Sequence, residues 1–484
     1  MKRIAIIGGG ISGLSAAFTL EQTRRSSAPL EYVLFESSPR LGGVLVTEHV
    51  QGCLIEAGPD SFLTEKPWAT DLCRQLGLAD QLIGSNDADR KTYILVNGKL
   101  VVMPDGLMFM VPTKILPTVF SPLFSFGTKL RMAREWFHPP HKANGDESVA
   151  ALVERHYGSE MVERLADPLL SGVYGGEAAH LSVRAVLPRF ADMESKHGSL
   201  GRAMLASRKK MAQFAKGPSR PLFTSLKDGM QQMVDGMVAQ LNGSCMVTNS
   251  PVHWVHPQHH GWTISDGHQS DHFDAIILAV PAHAAAGLLE RAHPDLAGEL
   301  RGIAYTSSIT VNLGYEQSVR ASLPLGFGFL VPRSEGKRML ACTFVHNKFP
   351  HRTPEERALL RCFLGGTRNE AALEWSDAEI IATVRKELGE ILGLQSEPLF
   401  SRVCRWKGAM AQYGVGHLER LDRIEGLRSR VSGLFLAGNA YRGIGVPDCV
   451  RSGTDAATNA LVSLGLLKPQ PEAPLSPSIS QLPA

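Results

Sequence analysis

The chain has 484 residues, which is enough to bury more than one hydrophobic core. Its net charge is only +3 with neutral histidines, so composition gives no reason to expect a nucleic-acid partner. Its seven cysteines are odd in number, scattered and without a Cys-x-x-Cys spacing, which excludes a disulfide framework and a zinc ribbon. No signal peptide precedes the first strand and no apolar run is bilayer length, so we expect a cytoplasmic protein.

The first strand and helix carry a dinucleotide-binding fingerprint. Residues 3–7 predict a short buried strand, followed by Gly8, Gly10 and Gly13 in the spacing Gly-x-Gly-x-x-Gly and then by an apolar helix. Gly8 permits a tight turn, the missing Cβ of Gly10 admits a pyrophosphate, and Gly13 lets helix and strand pack closely. The helix N-terminus would offer free N–H groups and its positive dipole end to the phosphates.

A second strand, at residues 32–35, is followed by Glu36. The spacing in sequence between the glycines and this acid is the one at which a dinucleotide-binding fold places the carboxylate that binds the ribose hydroxyls. An ordinary glycine-rich turn is the less favoured alternative, because strand, glycines, helix and acid occur together. Residues 40–43, Arg-Leu-Gly-Gly, are typical of flavoproteins with two dinucleotide-binding domains and unusual in NAD dehydrogenases. The sequence therefore predicts FAD as the cofactor.

Residues 44–126 combine hairpins with a proline-rich apolar stretch. A hairpin at 44–55 leads to Gly58-Pro59, a rigid turn that lies against the flavin in proteins of this build, with a plain loop as the open alternative. Asn-Gly in the middle of residues 93–102 predicts a second hairpin. Three prolines interrupt residues 107–126, which we interpret as irregular structure over a pocket, with contact to a membrane interface as the alternative.

The rest of the chain predicts a ligand-facing segment, a second sheet and a C-terminal helix. Small residues within 167–176 permit close backbone approach to a ligand. Six histidines between 253 and 272 match no standard metal-ligand spacing, so we predict no metal. Residues 309–364 alternate like an antiparallel sheet, and a helix is predicted over 377–392. Near the C-terminus a glycine-rich loop leads to a helix with Asp448 as its N-cap, whose N-terminus can stabilise negative charge on a reduced flavin.

Seven segments make the chain resemble the oxygen-dependent porphyrinogen oxidase family, the HemY-type enzymes of haem synthesis. They are GGGISG at 8–13, ESSPRLGG at 36–43, GPDSFL at 58–63, DPLLSGVYGG at 167–176, RW at 405–406, QYGVGH at 412–417 and GVPDC at 445–449. The resemblance spans residues 3–466, and the fourth and seventh segments are more particular to the family than the dinucleotide fingerprint. Ala411 stands where the family commonly has proline before Gln-Tyr.

The resemblance implies an α/β fold of mixed α+β character, with a Rossmann-like FAD-binding domain, an antiparallel-sheet substrate domain and a helical insertion. The expected FAD-binding domain is discontinuous. The boundaries are 1–85, 222–300 and 400–468 for the FAD-binding domain, 86–110 and 301–399 for the substrate-binding domain, 111–221 for the helical region and 469–484 for a disordered tail.

The resemblance also implies noncovalent FAD, with Cys449 structural and no catalytic side chain, because the flavin does the redox chemistry. The expected cofactor-binding residues are Gly8, Gly9, Gly10, Ile11, Ser12, Gly13, Glu36, Ser37, Arg40, Gly42, Gly43, Val44, Gly58, Pro59, Asp60, Ser61, Val252, Trp406, Val446, Pro447 and Asp448. The expected substrate contacts are Gly172, Leu330 and Phe344. We add Lys66, because it follows the 58–63 turn and can meet a substrate propionate, with a solvated lysine as the alternative.

The implied reaction is repeated hydride transfer from a porphyrinogen to flavin N5, with dioxygen reduced to hydrogen peroxide. Aromatisation drives it, so orientation matters more than acid–base groups. A flavin amine oxidase is one alternative, weakened because Asn439 replaces the acid of the usual Ala-Gly-Glu. A non-enzymatic flavin protein that binds a membrane or partner is the other.

Substrate and partners stay open between alternatives. Coproporphyrinogen III and protoporphyrinogen IX both fit the family, and GPDSFL followed by Lys66 favours the former. No nucleic-acid partner is expected. A homodimer and peripheral contact with the inner face of the membrane also remain open.

Overall fold

A computed structural model describes residues 1–26, 28–108, 110–141, 145–214, 220–267 and 269–469. All of the predicted disordered tail except Pro469 therefore lies outside the described residues, as does His268 of the histidine-rich stretch. None of the described helices is both long and apolar enough to cross a membrane.

The strands of the described chain form two main sheets and several small ones. In chain order they are β1 (Lys2–Ile7), β2 (Leu30–Phe35), β3 (Thr47–Val50), β4 (Cys53–Glu56), β5 (Phe62–Leu63), β6 (Leu82–Gly84), β7 (Thr92–Val96), β8 (Lys99–Val102), β9 (Leu107–Met108), β10 (Val111–Pro112), β11 (Phe223–Leu226), β12 (Met246–Val247), β13 (Trp254–Pro257), β14 (Trp262–Ser265), β15 (Ser270–Phe273), β16 (Ala275–Leu278), β17 (Tyr305–Glu316), β18 (Gly328–Leu330), β19 (Ala341–Phe344), β20 (Arg357–Gly365), β21 (Phe400–Ala411) and β22 (Leu434–Leu436).

The helices lie between these strands and in the segment from 115 to 214. In chain order they are α1 (Ile11–Arg25), α2 (Pro67–Gln75), α3 (Ile115–Phe120), α4 (Phe126–Glu135), α5 (Val149–Tyr157), α6 (Ser159–Met161), α7 (Asp167–Tyr174), α8 (Val183–Val186), α9 (Pro188–His197), α10 (Leu200–Phe214), α11 (Gln231–Gln240), α12 (Ala282–Leu289), α13 (Pro294–Arg301), α14 (Gln317–Ser322), α15 (Val345–Lys348), α16 (Asp377–Leu392), α17 (His417–Arg428) and α18 (Val446–Ser463).

The first main sheet is parallel and has the strand order β12-β2-β1-β16-β22. Residues 4–7 of its central strand β1 are apolar and buried, because α1 and α18 pack on one face of the sheet and β13–β15 with α12 pack on the other. Helices α1 and α18 pack closely together, since a Cβ on Gly453 would lie 2.0 Å from the carbonyl oxygen of Ser12. The predicted α/β class is confirmed, while the domain boundaries stay a prediction.

The second main sheet has the order β21-β17-β20-β19-β18-β7-β8. It is antiparallel as predicted except for β18, which pairs with β7 in parallel and so attaches the hairpin of β7 and β8. One face packs on α16, where Ile380, Val384 and Leu388 meet the buried side chains of β17 and β20. The opposite face carries Thr310 and Arg361 to the segment that follows β4.

Both predicted hairpins and the helix at 377–392 are confirmed. Asn97 and Gly98 have φ angles of 51° and 73°, which a two-residue hairpin turn of this kind requires. Strands β3 and β4 pair antiparallel. Helix α16 begins with a capping box in which Ser376 and Glu379 satisfy each other's backbone N–H groups.

Two local predictions are wrong. The stretch 107–126 contains a short hairpin and helix α3, which accommodates Pro117 within its first turn, where a missing N–H breaks no intrahelical bond. Asp448 is not the N-cap of the last helix. Helix α18 begins at Val446 with Gly445 as its N-cap, because Pro447 is well placed in a first turn, and this puts Asp448 third in the helix.

A buried imidazole between two carboxylates holds the helical segment together. His156 of α5 is fully buried, with Nδ1 3.1 Å from an oxygen of Glu135 in α4 and Nε2 3.0 Å from an oxygen of Glu194 in α9. Burial by itself lowers the pKa of His156, but the two carboxylates outweigh burial and raise the pKa above its ordinary value. The charged imidazole therefore links three helices.

This arrangement predicts a stability that falls with rising pH. Because the folded pKa of His156 is raised, its contribution is complete below the unfolded value of about 6.5 and is lost as pH rises through the folded pKa. We expect His156→Gln to lower the melting temperature strongly at pH 6 and progressively less towards pH 9. The matched control His49→Gln, at an exposed position in β3, should shift it little at any pH. A pH-independent loss in His156→Gln would contradict this account.

Candidate functional site

The three fingerprint glycines have the roles that a dinucleotide site needs. Gly8 has φ +107°, and a Cβ there would lie 2.5 Å from the carbonyl oxygen of Ala279. A Cβ on Gly13 would lie 1.8 Å from the carbonyl oxygen of Gly8. A Cβ on Gly10 would meet no atom within 4 Å, and no side chain caps the helix that follows it. The first and third glycines thus allow the fold itself, and the second opens a cradle at the N-terminus of α1.

Glu36 lies directly beside this cradle. Its carboxylate accepts the N–H of Gly9 at 2.7 Å through one oxygen and the N–H of Ser38 at 2.8 Å through the other. The hydroxyl of Ser37 donates to the same carboxylate at 3.3 Å. The N–H of Ser250 donates to the carbonyl oxygen of Glu36, which brings the segment containing Val252 alongside.

The segment from Arg40 to Val44 forms the opposite wall of the cradle. The N–H of Gly42 donates to Gly9, and a Cβ on Gly43 would lie 3.1 Å from the Cα of Gly10. The guanidinium of Arg40 donates to the carbonyl oxygen of Gly43. The structure therefore brings together most of the residues predicted from the first two motifs, in a shape that fits a pyrophosphate and a ribose.

The turn at Ala57–Asp60 has its carbonyl oxygens bound by the second main sheet. The carbonyl oxygen of Ala57 accepts from the hydroxyl of Thr310 at 2.7 Å and from the indole N–H of Trp406 at 2.8 Å. The guanidinium of Arg361 donates to the carbonyl oxygen of Gly58. Within the described residues, the backbone N–H groups of Gly58 and Asp60 have no acceptor. The turn thus holds its carbonyls on the sheet and leaves donors free for a ligand.

Side chains around this turn form a buried charged cluster with more cations than anions. The cations are Lys348, Arg352 and Arg361, and the anions are Glu56 and Asp60. Lys348 lies 2.9 Å from the Asp60 carboxylate. Burial alone raises the pKa of Asp60, but Lys348, Arg361 and Arg352 together hold it well below its usual range.

Burial dominates at Glu56 and Lys348 in the same cluster. It raises the pKa of Glu56, against the opposing charge of Arg352, and it lowers the pKa of Lys348, against the opposing charge of Asp60. Among the described residues, the Nε of Arg361 and both amide atoms of Asn312 have no hydrogen-bond partner.

The loop before α18 is held by an aromatic pair from the QYGVGH segment. The hydroxyl of Tyr413 donates to the carbonyl oxygen of Asn439 and accepts the N–H of Gly443, both at 2.8 Å. The ring of Tyr413 stacks on His417 with centroids 4.2 Å apart. The loop leads into buried Val446, with Asp448 in the same first turn. We did not predict a role for Tyr413, although its segment was one of the seven that carry the resemblance.

The four predicted substrate residues have different surroundings. Gly172 is exposed in α7, and a Cβ there would meet no atom within 4 Å. Leu330 is partly buried on β18, packs on the helical segment and lies near α7, which contacts β18. Lys66 forms an ion pair with Asp448 at 2.6 Å.

The predicted contact between Phe344 and a substrate is not supported by the structure. Its side chain has no exposed surface and lies in the core between the second main sheet and α16. The alternation of β19 points Phe344 away from the face that carries Thr310 and Arg361, since Phe344 pairs with Leu360 of the same core. We therefore remove it from the substrate set.

In the described part of the chain, no group of three or more metal-ligating side chains is placed to hold a metal ion. In the histidine-rich stretch, His259 and His260 are exposed in the turn between β13 and β14, with ring nitrogens 3.0 Å apart.

Comparison with known proteins places the chain in a family. A family model described as flavin containing amine oxidoreductase matches residues 11–461. The chain is 36% identical to coproporphyrinogen III oxidase of Bacillus subtilis, over 96% of this chain and 98% of that protein. It is 30% identical to chloroplastic protoporphyrinogen oxidase 1 of Arabidopsis thaliana, over 93% and 86% respectively.

Solved structures of other proteins have a similar fold over nearly the whole chain. One from Exiguobacterium sp. 255-15, provisionally named a protoporphyrinogen oxidase, is 29% identical with a TM-score of 0.85, covering 96% of this chain and 99% of that one. Cyclohexylamine oxidase from Brevibacterium oxydans is 20% identical with a TM-score of 0.70 over 96% and 99%, which shows a shared fold. The chain belongs to the flavin-containing amine oxidoreductase family. It is an oxidoreductase with a flavin cofactor, which favours the enzymatic interpretation over a non-enzymatic flavin protein.

The open space beside Gly10 predicts a clean loss of flavin on substitution. Gly10→Val fits the protein, because its φ of −72° is ordinary and its Cβ meets nothing, but its side chain enters the cradle. We expect the flavin affinity to fall at least about tenfold, or 1.4 kcal/mol, with little change in the melting temperature of the apoprotein. The measurement is fluorescence titration of apoprotein with flavin.

Gly426→Val is the matched control, since its Cβ also meets nothing and it lies exposed in α17, away from the cradle. It should bind flavin as the parent does. Unchanged affinity in Gly10→Val would contradict the placement of the cradle.

Proposed function

We propose that this protein is an FAD-dependent porphyrinogen oxidase of haem biosynthesis that acts on coproporphyrinogen III with dioxygen as electron acceptor. The observation that carries the proposal is the match, over nearly the whole chain, to relatives named coproporphyrinogen III oxidase from Bacillus subtilis, Staphylococcus aureus and Mycobacterium tuberculosis, at 28–36% identity. The GPDSFL turn at residues 58–63 supports the same substrate.

The chain's own groups would hold FAD at three places. The cradle at Gly10 receives the pyrophosphate at the N-terminus of α1, and Glu36 receives the ribose hydroxyls. The N–H groups of Gly58 and Asp60, which have no acceptor among the described residues, would face the flavin ring together with the N-terminus of α18. When bound, FAD supplies the hydride acceptor, and dioxygen takes the electrons as hydrogen peroxide.

Substrate binding would use the open segment of α7 and the positive cluster around the Ala57–Asp60 turn. Gly172 leaves room for a flat macrocycle, and Leu330 offers apolar contact. The cations Lys348, Arg352 and Arg361 outnumber the two anions of the cluster. The resulting positive field attracts propionate carboxylates. Coproporphyrinogen carries four propionates and protoporphyrinogen two, so this field favours the former.

This proposal predicts a substrate preference. We expect kcat/KM for coproporphyrinogen III to exceed that for protoporphyrinogen IX by at least about tenfold, or 1.4 kcal/mol of transition-state binding. Oxygen consumption and hydrogen peroxide formation would be measured with both porphyrinogens, with cyclohexylamine and putrescine as amine controls. The flavin-depleted Gly10→Val protein gives the background rate. Turnover of the amines and not of the porphyrinogens would support the amine oxidase alternative.

Noncovalent binding of the flavin is a separate expectation. Cys449 is buried, and burial raises the pKa of its thiol to about 12, so a thiolate that would attack the flavin is disfavoured. Acid precipitation should therefore release yellow flavin to the supernatant, where mass spectrometry should identify FAD at about one per chain. Colour that stays in the pellet would contradict noncovalent binding.

We further propose peripheral contact with an anionic membrane through the surface of α3 and α4. Large apolar side chains on this surface are exposed, namely Leu116, Val119, Phe120, Phe126, Leu130 and Phe137. Exposed Lys114, Arg131 and Arg134 and half-buried Lys129 accompany them, and residues 107–134 contain no acidic residue. An apolar surface with a positive rim matches an anionic bilayer interface. The homodimer remains a prediction.

Vesicle flotation tests this contact. The protein should float with vesicles that contain phosphatidylglycerol and less with neutral vesicles, and the double variant Phe120→Ser, Phe126→Ser should not float. Both side chains are about 80% exposed, so folding should be retained. Leu325→Ser, at another exposed apolar position, is the control and should float as the parent does. Flotation unaffected by the double substitution would place membrane contact elsewhere.

A further inference from the structure

Lys66 and Asp448 form an ion pair that joins the starts of two helices. The Nζ atom of Lys66, immediately before α2, lies 2.6 Å from a carboxylate oxygen of Asp448 in the first turn of α18. The side chain of Asp448 is 4% exposed and that of Lys66 is 20% exposed. The two residues are 382 positions apart in sequence, and α2 packs along α18.

Asp448 places a buried negative charge at the positive end of α18, and Lys66 neutralises that charge. A helix N-terminus carries about half a positive charge, which suits an anion beside it. A buried carboxylate in the same first turn would cancel this positive end unless a cation neutralised the carboxylate. Arg451 also approaches, but its guanidinium is 3.8 Å away and stacks on Trp68. The short contact from Lys66 is therefore the main neutralising charge.

We infer that Lys66 is a positioning residue that keeps the N-terminus of α18 electropositive toward the flavin, and so raises the reduction potential of the bound flavin. This inference rests on the proposed flavin site. It replaces a direct role of Lys66 with the substrate, because a propionate that took this ammonium would leave the buried Asp448 with only the longer contact to Arg451.

Potentiometry on the flavin-loaded protein tests the inference. In Lys66→Met the unpaired carboxylate opposes charge on the reduced flavin, so the equilibrium constant for two-electron reduction should fall about tenfold, a shift of about −30 mV. Lys66→Arg keeps the charge and should restore the potential. In Asp448→Asn the unpaired ammonium should raise the potential by a similar amount.

The double variant Lys66→Met, Asp448→Asn removes both charges and should return the potential to near the parent value. A merely structural role would not produce shifts of opposite sign that cancel. Lys99→Met, at an exposed position in β8, is the matched lysine control and should leave the potential unchanged. Stopped-flow reduction should show the Lys66→Met effect in kcat, with KM for coproporphyrinogen nearly unchanged.

The outcomes separate this inference from the proposed function. A parent protein that binds no flavin would overturn the proposed function before Lys66 is considered. Flavin bound in every variant, with an unchanged potential in Lys66→Met, would overturn this inference alone. A change only in KM for coproporphyrinogen would also overturn it and would indicate that Lys66 contacts the substrate directly.

Discussion

The site depends on how the second main sheet binds the carbonyl oxygens of Ala57 and Gly58. Thr310 and Trp406 both donate to the first and Arg361 to the second, so the turn cannot rotate without breaking three hydrogen bonds. A side chain at Gly58 is excluded, since its Cβ would lie 1.9 Å from the carbonyl oxygen of Val44. The turn is therefore fixed rigidly on the second main sheet by its carbonyl oxygens.

The carbonyl oxygens of this turn also explain why cations are buried beside it, because arginine side chains donate to them. Arg352 is 1% exposed and bonds the carbonyl oxygen of Asp60 at 3.0 Å and the carboxylate of Glu56 at 3.2 Å. Removing one partner of such a pair costs about 3–5 kcal/mol, because the other charge stays buried. The cluster is thus a poor source of stability but a strong constraint on the geometry of the turn. Its surplus of positive charge lies beside the turn that we propose for the flavin ring.

Local patterns predicted the parts of the site that depend on neighbours in sequence. The glycines at 8, 10 and 13 and Glu36 act within one strand–helix–strand unit, so their spacing carried the information. Asn97-Gly98 and the helix at 377–392 were predictable for the same reason.

Contacts between distant segments were not predictable in this way. Thr310 and Arg361 meet the turn from 253 and 303 residues away, and their strands show only ordinary alternation. Phe344 was assigned to the wrong face, because alternation does not say which face of a strand meets the site. The partner of Lys66 could be seen only once α2 and α18 were packed together.

The most direct test of this account is a crystal structure of the protein with FAD bound. The flavin ring should lie between the Ala57–Asp60 turn and the N-terminus of α18, within hydrogen-bond distance of the N–H of Gly58 or Asp60. The bonds from Thr310, Trp406 and Arg361 should persist. A ring bound away from the turn, or a turn that reverses its carbonyls to face the ring, would contradict the account.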